Sequence, residues 1–275
     1  MAVLLPSDFQ FHQGNLQDYA ICPRRFHWRH VRRLAWPAVE SEPYLEWERH
    51  LRLGEAFHRL VCQHLLGMDG ARLQAAAEAA GVSHWWRNYL EHPPTELPAT
   101  RYPEATLSAL VGGYRLVGKY DLIALGEDGR AAIVDWKTSR RRPQQDYLVG
   151  SMQTRAYRYL LVQAGSHLNG GQALRPEQVE MIYWFADHPE RPVRLPYDAA
   201  RFQADGAFLE GLIEEIASRE DGFPPSPDGR HCPFCVYRSL CEQGVQAGDL
   251  QDFEDALVEE VVLGLELEQV GEVEF

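Results

Sequence analysis

Residues 118–137, G-K-Y-D-L-I-A-L-G-E-D-G-R-A-A-I-V-D-W-K, hold the densest chemistry in the chain. Two acids, Asp121 and Asp135, and a lysine, Lys137, are set into otherwise apolar sequence. Stretches 116–125 and 131–136 are rich in β-branched and apolar residues, and Gly126-Glu127-Asp128-Gly129-Arg130 between them has turn chemistry, so a β-hairpin is expected. A three-residue loop, Glu127-Asp128-Gly129, needs a left-handed residue that Gly129 supplies cheaply. That loop makes 126 face 130 and sets Asp121 opposite Asp135, where like charges roughly 4.5–5.5 Å apart at Cβ repel. Asp135 and Lys137 then share one face while Trp136 points to the other. Carboxylates and an ammonium on one face of an apolar hairpin are costly to bury unless a cation or substrate compensates them. Such a group suits hydrolysis of a phosphodiester with a divalent cation. A slip of one residue would separate the two acids.

The elements that must position these groups follow from the pattern around them. Residues 6–31 read as a helix followed by a basic, aromatic segment, with a break at Cys22-Pro23. The next helix covers 45–66. Leu51, Gly54, His58, Val61, Cys62 and Leu65 lie on one stripe of it, so His58 points inward and Gly54, one turn earlier, allows a close approach. Residues 69–100 read as a helical, then Pro-rich connection. Three strands are expected within 102–137, then a helix over 145–163, strands at 179–186 and 193–197, and a helix over 199–218. Gln153 and Tyr157 are four apart and share a helix face.

Each candidate has an ordinary alternative. Asp-x-Lys alone is a common strand-end ion pair; Asp121 across the hairpin, Gly118 and Thr138 lift it above that. Mg²⁺ or Mn²⁺ takes carboxylate oxygens and leaves positions for phosphate. Lys137 would orient or deprotonate the attacking water and offset charge on the phosphorane. His58 is either a core histidine or a ligand. Glu104 is a further metal-site candidate or a solvent-facing strand residue. Gln153 and Tyr157 contact substrate or support Lys137, or reflect plain amphipathicity.

Cys232, Cys235 and Cys241 form C-x2-C-x5-C, and Cys22, also followed by Pro, offers a fourth thiolate from the far end of the chain. Four thiolates suit Zn²⁺ or a [4Fe–4S] cluster, and spacing does not choose between them. Such a site would staple the two ends together. Cys22 as an unrelated buried thiol is the alternative. Cys62 reads as core.

The 275 residues, 45% hydrophobic and 24% charged, suit a soluble protein of one large domain or of one core plus extensions. No uninterrupted apolar run reaches the ~18–20 residues that span a bilayer, and 1–30 lacks the pattern of a signal peptide, so a cytoplasmic protein without membrane contact is expected. The net charge of −13 is unevenly spread. Ten of the forty acidic residues fall in 248–275, which has no Lys or Arg, leaving thirty acidic against twenty-seven basic elsewhere. With basic clusters at Arg24, Arg25, Arg29, Arg32, Arg33 and at Lys137, Arg140, Arg141, Arg142, that body is compatible with binding DNA. The acidic tail reads as a solvated helix with Leu250, Phe253, Leu257 and Val261 inward, or as a DNA-mimicking autoinhibitory segment. The expected division is 1–247, a catalytic domain, and 248–275, the tail.

In order and spacing, C-P-R-R-F at 22–26, G-E-A-F-H at 54–58, P-E at 103–104, G-K-Y-D at 118–121, V-D-W-K-T at 134–138, Q-T-R-A-Y at 153–157 and C-P-F-C-V-Y-R-S-L-C at 232–241 resemble the RecB-like branch of the PD-(D/E)XK nucleases. The likeness is to its iron–sulfur members, the AddB-type nuclease domain and the CRISPR-associated RecB-like exonucleases. It covers roughly residues 7–244; the acidic tail has no counterpart. The resemblance implies an α/β fold with a restriction-endonuclease-like core, a mixed sheet flanked by helices, whose terminal segments a cysteine-bound cluster joins. It implies that His58, Asp121, Asp135 and the Trp136 carbonyl bind Mg²⁺ or Mn²⁺ and that Lys137 is the catalytic lysine. Gln153 and Tyr157 match its Q-x3-Y motif, and Cys22, Cys232, Cys235 and Cys241 its [4Fe–4S] ligands, with Zn²⁺ the alternative in that site. The implied activity is metal-dependent exonucleolytic hydrolysis of single-stranded DNA in repair, recombination or CRISPR-type processing, partnered by a helicase or a CRISPR adaptation complex. No P-loop G-x4-G-K-[ST] occurs, so unwinding would need that partner. The rival from another class is a non-catalytic DNA-binding or assembly module that keeps the cysteine site.

Overall fold

The computed structural model describes residues 5–34, 42–139, 142–219, 222–227, 229–241 and 245, and of α3 below only the side chains from Arg49 onward. The acidic tail at 248–275 and Arg140–141 lie outside them. The hairpin forms as the loop chemistry requires. Strand β3 (Tyr114–Leu125) and strand β4 (Ala131–Lys137) pair antiparallel from Leu125↔Ala131 to Leu122↔Val134. Gly126 N–H donates to Arg130 O at 2.9 Å, Gly129 N–H donates to Gly126 O at 2.9 Å, and Gly129 takes φ +83°. This is the expected register, and one step further it brings Asp121 to Asp135.

Around the hairpin lie β1 (Gln10–His12), β2 (Thr100–Val111), β5 (Val179–Phe185) and β6 (Val193–Pro196). The mixed sheet runs β1-β3-β4-β5-β6, with β2 also on β3. Strand β2 pairs antiparallel with β3 along its length. A strand has two edges, so β1, parallel to β3 at Arg115–Val117, and β4, whose pairing with β3 starts at Leu122, must share the other. Residues 118–121 lie between them, at a fork in the sheet.

Helices cover both faces: α1 (Gln13–Ile21), α2 (Pro23–Phe26), α3 (Glu42–Leu65), α4 (Gly70–Ala80), α5 (Ser83–Glu91), α6 (Gln145–Gly150), α7 (Met152–Ala164) and α8 (Ala199–Ala217). One core joins α1, α7 and α8 to the sheet through Leu16, Tyr120, Ile133, Leu160, Tyr183 and Leu209. The second joins α3, α4 and α5 through Phe57, Val61, Leu73, Trp86, Trp136 and Trp184. Side chains alternate across a strand, yet β3 reverses its alternation at Asp121. Leu116 and Tyr120 belong to the first core before it, and Ile123 and Leu125 after it. Strand β2 reverses at Glu104, which lies directly across from Asp121 and takes φ +53°. A left-handed non-glycine residue costs about 1–2 kcal/mol.

Two segments differ from the sequence reading. Residues 6–31 open with β1, three residues too short to register as a period. Residues 145–163 form two helices, because Ser151 is extended (ψ 148°) and its Oγ accepts the Thr154 N–H as the cap of α7. The helical part of 69–100 forms as expected, as α4 and α5, which give Leu73, Ala77, Trp86 and Tyr89 to the second core. The break at Cys22 is present, with that residue extended between α1 and α2. Asp18, 2% exposed, then takes Arg25 at 2.8 Å and His30 at 2.7 Å, folding the basic segment back onto α1. No helix of the described residues is long and apolar enough to cross a membrane.

Candidate active site

The fork brings together groups from both faces of the sheet. From the first-core side, Gln153 near the start of α7 donates Nε2–H to Asp135 Oδ1 at 2.7 Å and accepts from Lys137 Nζ at 2.9 Å on Oε1. A carboxylate only accepts and an ammonium only donates, so the amide has a single orientation. Lys137 Nζ also pairs with Asp135 Oδ2 at 2.8 Å, and that buried oxygen has no other hydrogen-bond partner among the described residues. From the second-core side, His58 on α3 meets Asp121 Oδ1 through Nδ1 at 3.1 Å. The other oxygen of Asp121 accepts the backbone N–H of Trp136 at 2.8 Å. The Trp136 ring lies in the second core, so this residue offers the site only its backbone.

The two carboxylates are driven apart. Asp135, 1% exposed, is pushed up to about 6 by burial, against the pull of Lys137. Burial would raise Asp121 too, but the charge and hydrogen bond of His58 and the Trp136 N–H overcome it and hold Asp121 below the usual carboxylate value. Opposed shifts in neighbouring acids mark groups with different tasks. A histidine that gives Nδ1–H to a carboxylate keeps Nε2 as its basic nitrogen, the tautomer that cation-binding histidines use.

Helix α3 presents a stripe at four-residue spacing to this site. His50 Nε2 donates to the Thr138 carbonyl at 2.9 Å. At Gly54 an added Cβ would stand 2.9 Å from Thr138 Oγ1, so glycine lets the helix close on the strand end just after Lys137. His58 follows, and then Cys62, which is half-buried beside Glu104 rather than in either core, with its thiol pushed up by burial. The core reading of Cys62 is thereby corrected. Glu104 pairs with Lys119 at 2.6 Å. Tyr157 is buried, its ring 4.6 Å from that of Tyr120, whose hydroxyl donates to the Tyr157 carbonyl at 2.8 Å. His50 escaped the sequence reading, although its place four residues before Gly54 was the available signal. Tyr183, beside Asp135 in β5, escaped it because it reads as one more apolar strand residue. Among the described residues no group of three or more His, Cys, Asp or Glu side chains is arranged to hold a metal ion.

Cys22, Cys232, Cys235 and Cys241 line one pocket together with Arg24, Trp28, His231 and Arg238. Arg24 Nη1 lies 3.8 Å from Cys241 Sγ. The two chain ends also meet through Arg24 N–H to Pro224 O at 3.0 Å and Tyr237 Oη–H to Leu34 O at 2.9 Å.

Residues 11–242 match the family model of the PD-(D/E)XK nuclease superfamily. The chain belongs to that superfamily. Its α/β fold, a mixed sheet flanked by helices, is that of the family's restriction-endonuclease-like core, and membership makes it a nuclease, a hydrolase whose relatives typically use divalent metals such as Mg²⁺. Among solved structures it is similar to the "Putative exonuclease" of Eubacterium rectale, at a TM-score of 0.53 and 11% identity over 90% of this chain and 93% of that one. It is also matched to SSO0001, at a TM-score of 0.41 and 14% identity over 88% of this chain and 90% of that one. No curated protein sequence matches it.

Proposed function

We propose that this chain is a divalent-cation-dependent deoxyribonuclease that degrades single-stranded DNA from its ends. The observation that carries the proposal is the meeting of Asp121, Asp135, Lys137, Gln153 and His58 at the sheet fork, supplied from opposite faces. The donor set suits a hard cation: two carboxylates of opposed pKa, a histidine with Nε2 as its basic nitrogen, and a buried Asp135 Oδ2 with no described hydrogen-bond partner besides Lys137. His58, Asp121, Asp135 and the Trp136 carbonyl would hold Mg²⁺ or Mn²⁺, which supplies charge to the phosphoryl oxygens and acidifies the attacking water. Lys137 donates a proton to a phosphate oxygen or orients that water, and Gln153 keeps its ammonium beside Asp135. Tyr157 acts from behind, through the backbone of α7. Glu104, across from Asp121, is a further candidate ligand that would have to leave Lys119. The preference for ends and single strands rests on the resemblance to RecB-like exonucleases, as does work beside a helicase or a CRISPR adaptation complex.

The four cysteines on one pocket suit a [4Fe–4S] cluster, with Zn²⁺ the alternative that metal analysis distinguishes. Its task is to tie residues 22–34 to 223–241. The deciding experiment is degradation of end-labelled single-stranded DNA by anaerobically purified protein, with Mn²⁺ or with EDTA. Label lost only with Mn²⁺ supports the reading. Folded, brown protein that leaves the label intact favours the non-catalytic DNA-binding module instead.

A further inference from the structure

We propose that Arg142 anchors a second phosphate of the substrate strand, the neighbour of the one held beside Lys137. The inference deepens the reading of the site given above and rests on it. The sequence offers two basic clusters, and the fold gives several of their members internal partners. Arg25 lies 2.8 Å and Arg29 3.5 Å from Asp18, Arg24 faces Cys241 and the Trp28 ring, and Lys137 pairs with Asp135. Arg142 differs from these. It is exposed, and among the described residues its guanidinium meets no carboxylate; it stands over the Phe185 ring, with Cζ 5.9 Å from the centroid.

Strand β5 fixes where Arg142 lies relative to Lys137. Asp135 is paired with Tyr183 and Lys137 with Phe185, and residues two apart in a strand share a face. Tyr183 and Phe185 both turn into the first core, on the side from which Gln153 reaches the site. Lys137 Nζ stands 5.6 Å from the Tyr183 centroid, and Arg142 stands over Phe185. Two cations therefore sit over successive inward rings of one strand, a step of about 7 Å. That step matches the stride of an extended sugar–phosphate backbone. A phosphate beside Lys137 then leaves the next one along the strand within reach of Arg142, on the solvent side of the buried carboxylates.

The chemistry of the side chain suits that occupant. A guanidinium presents a planar fork that meets two phosphate oxygens at once, and an aromatic ring beneath it limits where the fork can swing. Pro143, the next residue, favours an extended backbone at Arg142 and narrows the range further. Contacts to phosphate fix the register of a strand and carry no base information. Arg142 thus sets where the strand lies and not which base is cut.

Arg142→Gln removes the charge and keeps part of the stem over Phe185. The experiment titrates fluorescein-labelled oligothymidine with protein in EDTA at rising KCl and reads fluorescence anisotropy. Each phosphate neutralised on a single strand contributes about 0.7 to the slope of log affinity against log salt. Arg142→Gln should bind more weakly at low salt with a slope smaller by that amount, and Arg142→Lys should restore the slope. With Mn²⁺ the loss should fall on KM rather than kcat, and equally for oligothymidine and oligodeoxyadenosine. Wild-type affinity and slope in Arg142→Gln overturn the anchor. An unmoved slope with a lower melting temperature also overturns it, and makes Arg142 a cap on Phe185. Wild-type protein that neither binds nor degrades the strand refutes the reading of the site and the anchor with it; wild-type binding and cleavage with an unmoved Arg142→Gln slope refutes the anchor alone.

Discussion

The Asp121 carboxylate accepts the backbone N–H of Trp136 at 2.8 Å, just beyond the last β3–β4 pair, Leu122↔Val134. A side chain thus continues the hairpin where the ladder stops, and ties the acid on one strand to the residue between Asp135 and Lys137 on the other. Asp121→Asn preserves the shape and an oxygen to take that N–H, and removes the charge. The expected protein folds with a melting temperature near that of wild type and binds Mn²⁺ at least 10- to 100-fold more weakly, the range found even for residues behind the ligands. Calorimetric titration with Mn²⁺ reads this directly, and an unchanged affinity would remove Asp121 from the ligand set.

Lys137 stands between Asp135 and Gln153, with its charge balanced by a buried carboxylate. Lys137→Ala should lower kcat by about 10²–10⁴, the usual span for a positioned proton donor or acceptor, while DNA affinity stays within a few-fold. The fold survives because Asp135, already pushed up to about 6 with its partner present, takes up a proton when the ammonium is gone. Single-turnover cleavage beside filter binding separates the two effects. Equal loss of binding and cleavage would recast Lys137 as a DNA anchor.

Asp135 also sets a pH dependence. Its folded pKa, about 6, lies above the unfolded value of 3.8. The native state therefore binds the proton more tightly, and the charged carboxylate costs the cation-free fold about 3 kcal/mol above pH 6, a cost that disappears as pH falls toward 4. A cation must displace that proton, so Mn²⁺ affinity should be flat above pH 6 and weaken up to tenfold per pH unit below it. Mn²⁺ titrations at pH 5, 6, 7 and 8 check the sign. Affinity that is constant from 5 to 8 would show that the cation does not replace the Asp135 proton.

The hairpin was legible because its information is local: a glycine at the one left-handed loop position fixes the register, and the register fixes the pairing of Asp121 with Asp135. His58 was legible from helix periodicity with Gly54. Other features depend on partners distant in sequence. The reversal at Glu104 follows from the two cores on either side of β2 and β3, and nothing in P-E-A-T announces a left-handed residue. Ser151 ends one helix and caps the next through an extended backbone that serine adopts as readily as a helical one. His50 and Tyr183 acquire their neighbours only when α3 and β5 close on β4. The fork itself comes from a three-residue strand pairing 105 residues away, with Arg115–Val117, which no local pattern encodes.

Cys232 shares its pocket with Cys235, Cys241 and Cys22, so a cofactor there would close a loop of nearly the whole domain. Closing long loops removes the most freedom from the unfolded chain, and a site assembled only on folding returns its binding energy as stability. The same segments also meet through Arg24 to Pro224, Tyr237 to Leu34, the Trp28 and Tyr237 rings at 5.6 Å, and Phe223 packed on Phe26 and His27. A cofactor in the pocket would add its binding energy to these contacts. Cys232→Ser is therefore expected to lose bound iron (or zinc) and to lower the melting temperature by ~5 °C or more, since about 1 kcal/mol corresponds to 2–4 °C at this size. Cys62→Ser, at a cysteine outside the pocket, should leave both metal content and melting temperature close to wild type. Metal analysis with thermal unfolding under anaerobic conditions measures both. If Cys232→Ser keeps its metal and its melting temperature, the pocket is not a staple, and the segments are held by their own contacts, the packing of Phe223 on Phe26 and His27 among them.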